Sequence, residues 1–388
     1  MRVKSIDIFR ALTMWLMIFV NDLWSLRQIP GWLEHKPADV DGMGLADVVF
    51  PAFLFIVGLS IPLAVKARED RGDQQWQIIK HIGSRSIALI IMGFFMVNLE
   101  NINAGLLIIN KYVWQILMTL SFFLIWNVYR DNKMMGGFTA WIPKLLGVVI
   151  LILLAVIYQS GTQEEPMWMQ PHWWGILGLI GWSYLISAII YVWIRDRWIW
   201  IGVVCLVFYA LNVNEFIHWL NMDFQVIVSA SNYALVMTGV LTTVVLTHLN
   251  QQHASKTIIP VLIGISVFLL IFGFVTRPEW GISKIYATPS WTALCAGVSL
   301  LFFVLLYLIV DRWGQVEWAS FIGPAGSSTL TCYLIPYFVY AGMAMFHLEF
   351  PEFLSIGSLG LVKSLLYGLI IIQLAGGLNR YFKVKLKV

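Results

Sequence analysis

Long apolar runs make up most of this chain, and polar residues punctuate them at short intervals. Windows of about 20 mostly apolar residues, the length that crosses a hydrocarbon core about 30 Å thick, recur along it. They fall near 6–25, 46–66, 82–99, 107–128, 141–158, 173–194, 198–212, 230–249, 258–276, 288–310, 325–346 and 356–377. These windows predict twelve membrane-spanning helices, of which the seventh is short. Between them the longest stretches are 26–45, 67–81, 159–172 and 213–229, and none is long enough for a soluble domain. The expected architecture is all-α: a single polytopic helical bundle over 1–388, with its chemistry inside the bundle or at one of its faces. No internal repeat is visible, which disfavours transporter folds assembled from two related halves.

Composition agrees with this pattern. The chain is 59% hydrophobic and 12% charged, whereas a soluble domain carries about 25% charged residues. That balance excludes a water-soluble enzyme, a disordered protein and a nucleic-acid binder. The distribution of charge then orients the bundle. With the N-terminus in the cytoplasm, 19 of the 25 Lys and Arg residues fall on the cytoplasmic side, from Arg2, Lys4 and Arg10 to the tail residues Arg380, Lys383, Lys385 and Lys387. Only Arg27, Lys36, Lys111, Arg277 and Lys284 fall on the other side, and Lys363 lies within the last window. Cytoplasmic loops favour Lys and Arg, and leaving out the seventh window would invert everything after it. The charge pattern therefore supports twelve spans with both termini cytoplasmic. The N-terminus reads like a signal peptide, basic and then apolar, but Asp7 and Arg10 interrupt it and no small-residue cleavage site follows, so it is expected to stay as the first helix. Cys205, Cys295 and Cys332 sit inside apolar runs and are expected to be buried free thiols.

An ionisable side chain inside a span costs about 2.5–3.5 kcal/mol on insertion scales, so each one is a functional candidate. Asp7 and Arg10 are three residues apart on one helix face and able to pair. Arg85 lies near the cytoplasmic start of the third span. Two arginines aimed into a bundle make a phosphate site, whereas arginines facing headgroups merely snorkel. At the other end of the first span Asn21 and Asp22 lead into the loop 26–45, which holds Glu34, His35, Asp39 and Asp41. Its Pro30, Gly31, Trp32, Gly42 and Gly44 suit a folded loop better than a loose tether. An imidazole accepts a proton from an amine or hydroxyl near neutral pH, which makes His35 a candidate base. Asp47, opening the second span, either fixes the His35 tautomer or caps its own helix. Asn98, Glu100, Asn101, Asn103, Lys111, Gln115, Arg277, Ser283, Lys284, Thr288 and Ser290 share that outer face. His172, His218, His248, His253 and His347 are scattered, and no motif at ligand spacing calls for a metal.

The run RVKSIDIFRALTMWLMIFVND, the His35 loop and GLADVVFPAFLFIVGLSI resemble the heparan-α-glucosaminide N-acetyltransferase family and its bacterial relatives. The matching residues are Ser5, Asp7, Phe9 and Arg10; Val20 and Asn21; His35; then Gly42, Ala46, Asp47, Val49, Phe50, Pro51, Phe53, Phe55, Ile56 and Gly58. Weaker matches are Arg85 with Gly93, and Ile282, Lys284 and Ser290. The resemblance implies a membrane acetyltransferase that carries an acetyl group from cytoplasmic acetyl-CoA to the amine of a glucosamine-type sugar on the far side. It implies His35 as the catalytic residue with Asn21 beside it, and Asp47, Gln115, Lys284 and Ser290 in support. Arg10 and Arg85 stand near the inner face, where phosphates of acetyl-CoA would enter. It also implies the inner membrane of a bacterium with the acceptor site facing the periplasm, and a possible homodimer.

Three departures bear on the acceptor. No arginine follows Gln115 where the family has one. Ser327 and Ser328 replace a G-x-N run, which is expected to alter acceptor recognition. Residues 160–228 match poorly. O-acetylation of an envelope polysaccharide and a sugar transporter or flippase are the alternative functions, and an acetyl-histidine intermediate is the alternative chemistry to direct transfer.

Overall fold

The computed structural model describes residues 3–129, 141–217 and 227–386. Arg2, Arg130, Lys133 and Lys387, counted above on the basic side, and His218 lie outside the described residues. Among the described residues the regular structure is helical, apart from a hairpin of two-residue strands, β1 (Ser160–Gly161) and β2 (Pro166–Met167). Its helices are α1 (Lys4–Asp22), α2 (Leu45–Glu69), α3 (Gln75–Glu100), α4 (Lys111–Trp126), α5 (Trp141–Val156), α6 (Gly175–Ile194) and α7 (Trp198–Ile217). They continue with α8 (Ala230–Gln251), α9 (Ile258–Trp280), α10 (Pro289–Leu306), a short α11 (Gly323–Ser327), α12 (Thr329–Met345) and α13 (Gly357–Tyr381).

A helix stands in each of the twelve apolar windows. Eight of them, α2, α3, α6, α7, α8, α9, α10 and α13, are long and apolar enough to cross a bilayer by length and composition. The protein is thus a helical membrane protein. The seventh window extends from 198–212 to the 20 residues of α7, because Asn212 inside it finds partners in Glu215 and the Ala287 carbonyl. The remaining windows hold α4, α5 and α12, at 16, 16 and 17 residues, and α1, which carries Asp7, Arg10 and Asp22.

The centre of the bundle is α8, whose apolar window is 89% buried, whereas that of α9 is only 28% buried and faces outward. Close approach at the centre depends on glycine. A Cβ at Gly58 of α2 would sit 1.9 Å from the Val236 carbonyl oxygen, and one at Gly239 of α8 would sit 2.1 Å from that of Phe55. Small residues let helix backbones touch where lipid offers no hydrophobic drive for association. The α3–α6 pair uses the same device, since a Cβ at Gly93 would lie 2.2 Å from the Gly178 nitrogen.

Helix α1 is pinned at both ends. Its first free N–H groups, at Lys4 and Ser5, donate to the Asp311 carboxylate at 3.0 and 3.1 Å, a charge placed where a helix N-terminus favours it. Asp311 belongs to a π-helical turn, Tyr307–Arg312, that prolongs α10. At the other end the buried Asp22 accepts hydrogen bonds from Tyr340 Oη and Lys363 Nζ, each at 2.8 Å, and from the Ser364 hydroxyl. Lys363, a basic residue within the last apolar window, is thereby neutralised by a carboxylate 341 residues away.

Candidate active site

The loop from Leu26 to Gly44 is folded back on the start of α2. Leu45 N donates to the Trp32 carbonyl at 2.7 Å and Ala46 N to that of Leu33 at 3.2 Å, with Leu33 buried beneath. Gly44 is required here, because a Cβ would sit 1.9 Å from the Glu34 carbonyl oxygen. A second clasp ties the loop to the turn between α9 and α10. Asp41 accepts from Ile282 N at 2.8 Å and from Arg277 Nε at 2.9 Å, while Gly42 N donates to the Ile282 carbonyl at 3.0 Å. The Ile282 N–H, and after it Arg277, hold the Asp41 carboxyl below the ordinary carboxylate range.

These two clasps bring three predicted residues into contact. His35 Nδ1 lies 2.7 Å from Asp47 Oδ1, and Lys284 Nζ lies 3.2 Å from the same nitrogen. Asp47 is buried, and its second oxygen accepts from Gly44 N at 3.0 Å and Lys36 N at 3.1 Å. It therefore does both things weighed for it: it caps α2 and it partners the imidazole. Nδ1 cannot donate to Asp47 and accept from Lys284 at once. The shorter, charge-assisted contact assigns the proton to Nδ1, which leaves the Nε2 lone pair free. Lys284 Nζ is 4.0 Å from Asp47 Oδ1. Burial draws its ammonium below the ordinary lysine value, against the opposing pull of Asp47.

His35 opens onto a cavity of about 720 Å³ that is also lined by Asn21, Glu34, Glu100 and Gln115. Aromatic side chains complete the wall: Trp24, Trp173, Tyr333, Tyr337 and Tyr340. The Asn21 side chain has no hydrogen-bond partner among the described residues and is free to meet a ligand. Gln115 Nε2 donates to the Tyr337 carbonyl at 2.8 Å. Ser290 lies elsewhere: it is buried on α10 with its hydroxyl 3.1 Å from Thr276 Oγ1, where it joins α9 to α10.

A second cavity, of about 840 Å³, holds the two predicted arginines. Arg10 Nη2 donates to Ser60 Oγ at 2.7 Å, and its Nη1 is 3.4 Å from Asp7 Oδ1. The Arg85 guanidinium sits over the Tyr184 ring at 5.0 Å, and all four polar residues line this cavity with His81 and Lys385. The two cavities share Ile176 and Tyr333 as walls. They are back to back, with α1 running past both.

The Ser327 departure has a defined place. Gly326 and Ser327 line the Arg10 cavity, and the Gly326 carbonyl lies 3.5 Å from Arg10 Nη1. The departure at Ser327 therefore bears on that cavity and not on the His35 cavity. Sequence reasoning gave no role to Tyr333, Tyr337, Tyr340, Ser60 or His81, which read as ordinary span residues. Lys363 carried the one usable signal, since a charge inside a span implies a partner. The three cysteines are free and buried, as expected.

Comparison with known proteins extends this picture. Heparan-alpha-glucosaminide N-acetyltransferase of Homo sapiens is 36% identical over 101 residues, which is 25% of this chain and 14% of the human protein. The Mus musculus protein of that name is 35% identical over 101 residues, with the same shares of each chain. The family-level resemblance seen around His35 is thereby supported, although the chain spans only 14% of the length of these curated relatives. A protein family described as a domain of unknown function, DUF5009, matches residues 2–222, more than half of the sequence. By that match the chain belongs to the DUF5009 family.

Proposed function

We propose that this protein is a membrane acetyltransferase that moves the acetyl group of acetyl-CoA to the amine of a glucosamine-type sugar. In this reading all twelve helices cross the membrane, the Arg10 cavity opens to the cytoplasm, and the His35 cavity opens to the opposite side. The observation that carries it is the pair of back-to-back cavities, one lined by cations and the other by an imidazole, a free amide and aromatic rings.

The dimensions support the reading. Eleven residues of α1 separate Arg10 from Asn21, which at 1.5 Å per residue is about 16 Å along the axis. An extended pantetheine arm spans about 15–20 Å by chain reach. Phosphates held by Arg10 and Arg85 would therefore put the thioester near Asn21 and His35, once the arm has passed Tyr333 and Ile176. Guanidinium groups suit phosphates because their fork of donors matches the oxygens.

At the far end the chemistry follows from the tautomer. His35 Nε2 takes a proton from the acceptor amine as its nitrogen attacks the thioester carbonyl. A C–N bond forms, the Asn21 amide donates to the oxyanion, and the C–S bond then breaks. The proton on Nε2 passes to the departing thiolate, so that free CoA leaves as the thiol. Asp47 holds the ring and stabilises the imidazolium while it is charged. The aromatic wall gives a sugar ring apolar faces to stack on.

The deciding experiment uses purified protein, labelled acetyl-CoA and glucosamine. His35→Ala should abolish acetyl transfer and leave acetyl-CoA affinity within about threefold of the parent. Transfer that survives within a few-fold would remove His35 from the reaction. N-acetylglucosamine should be inert as acceptor, and its acetylation would indicate hydroxyl transfer instead.

A further inference from the structure

The basic tail after α13 is the motif that the reading above leaves unused, and the fold gives it a defined place. After Tyr381 the chain turns sharply. Phe382 N and Val384 N both donate to the Leu378 carbonyl, at 3.1 and 3.0 Å, with Lys383 between them in the left-handed region at φ 54°. The strand that follows crosses to the end of α4. Lys385 N donates to Asn127 Oδ1 at 2.9 Å, Val128 N donates to the Lys385 carbonyl at 3.0 Å, and Leu386 pairs with Asn127 in an antiparallel bridge. Leu386 is buried in the main core. Residues 382–386 thus form a strap held at α13 on one side and at the end of α4 on the other.

The strap forms part of the wall of the Arg10 cavity, which Val128, Lys385 and Leu386 line together with Arg85 and Arg10. The Lys385 ammonium has no hydrogen bond or ion pair among the described residues. Arg85 lies over the Tyr184 ring and has no ion pair among the described residues. Asp7 is the single carboxylate in the lining among the described residues, and it stands beside Arg10. Two cations without carboxylate partners among the described residues thus face one cavity. Like charges gathered in a concave, weakly screened site raise its potential and favour a polyanion.

We propose that Lys385, carried on the strap, is a third phosphate-binding residue of this cavity and engages the nucleotide phosphates of a coenzyme A thioester together with Arg10 and Arg85. The proposal rests on the donor site proposed above and adds to it a binding residue far from the family motifs. Because the ammonium meets only the nucleotide, the strap senses that part of the donor and not its acyl arm.

The test uses the full chain in detergent or nanodiscs, with Lys385→Gln, Lys385→Arg and the exposed Lys383→Gln as control. Affinity is measured for acetyl-CoA and for acetyl-pantetheine, which has the thioester arm without the nucleotide. Lys385→Gln should weaken acetyl-CoA about tenfold, the loss of one hydrogen bond between charged groups. Acetyl-pantetheine should bind unchanged, Lys385→Arg should restore most of the affinity, and Lys383→Gln should resemble the parent. Unaltered acetyl-CoA affinity in Lys385→Gln would overturn the proposal and leave the donor site standing. So would an equal loss for both ligands with a lowered thermal midpoint, because the strap would then act by structure alone. If the parent chain binds neither ligand, the donor site fails and this inference fails with it.

Discussion

Replacing Asp47 with Asn tests the pair on which the proposed chemistry turns. The buried carboxylate accepts from His35 Nδ1 at 2.7 Å, Gly44 N at 3.0 Å and Lys36 N at 3.1 Å. An amide of the same shape has an acceptor on one side only. With its oxygen on the two backbone N–H groups, its NH2 faces Nδ1, which must then accept, and the imidazole proton moves to Nε2. If the amide is turned the other way, both backbone donors face an NH2 and go unsatisfied, at about 1–3 kcal/mol each. The first arrangement is cheaper, and it blocks the nitrogen needed as base. General-base catalysis contributes about 10²–10⁴ in rate, and the equivalent change in serine proteases, where the tautomer is also wrong, costs about 10⁴. The variant should therefore lose at least about 10² in kcat.

The charge matters as well as the tautomer. Asp47 Oδ1 lies 4.0 Å from Lys284 Nζ, and at an effective dielectric of about 20 that pair has a gross attraction of about 4 kcal/mol. Without it the Lys284 ammonium, already drawn down by burial, falls further. The assay is steady-state acetyl transfer, with thermal unfolding to establish that the variant folds. KM for acetyl-CoA should stay within about threefold, because the Arg10 cavity is untouched. A folded Asp47→Asn protein that keeps kcat within about threefold refutes the assignment of Nε2 as base.

Three further outcomes are expected. Gly239→Ala adds a methyl 2.1 Å from the Phe55 carbonyl oxygen and should destabilise the bundle by about 1–3 kcal/mol as α2 and α8 are forced apart; an unchanged thermal midpoint would contradict that packing. Tyr333→Trp narrows the wall shared by the two cavities, so acetyl transfer should fall about tenfold while acetyl-CoA affinity holds, and equal loss of both would place Tyr333 in binding instead. The Asp41 carboxyl is held low in the folded protein, so its stabilising contribution is complete above the ordinary carboxylate value and disappears as pH falls through the lower folded value. As pH falls below the ordinary carboxylate value the parent should therefore lose more thermal stability than Asp41→Asn, and parallel curves would sink the clasp between the His35 loop and Arg277.

Much of this was legible in the sequence, for physical reasons that differ from place to place. The eight long apolar helices could be read because a helix in lipid must satisfy its backbone internally and so shows as an apolar run. Asp47 announced itself as a carboxylate opening an apolar helix, a position that requires a partner. The clustering of His35 with Lys284 was readable only through the family motif, since 249 residues separate them and no periodicity links two loops. The aromatic wall was hidden because Tyr333, Tyr337 and Tyr340 lie in a span where aromatic residues are ordinary. Ser290 shows the reverse case: its place in the motif suggested the site, but its hydroxyl is spent on Thr276 between two packed helices.

The pairing of Asp22 with Lys363 has a consequence for biogenesis. Each charge alone costs about 2.5–3.5 kcal/mol inside a membrane, and its partner lies 341 residues along the chain. In the proposed twelve-span topology, α1 would sit in the bilayer with an uncompensated carboxylate at its end while the ribosome works through the intervening helices. The debt is cancelled only when α13 arrives and docks. Completion of the bundle would then be registered electrostatically, between a helix made early and one made late.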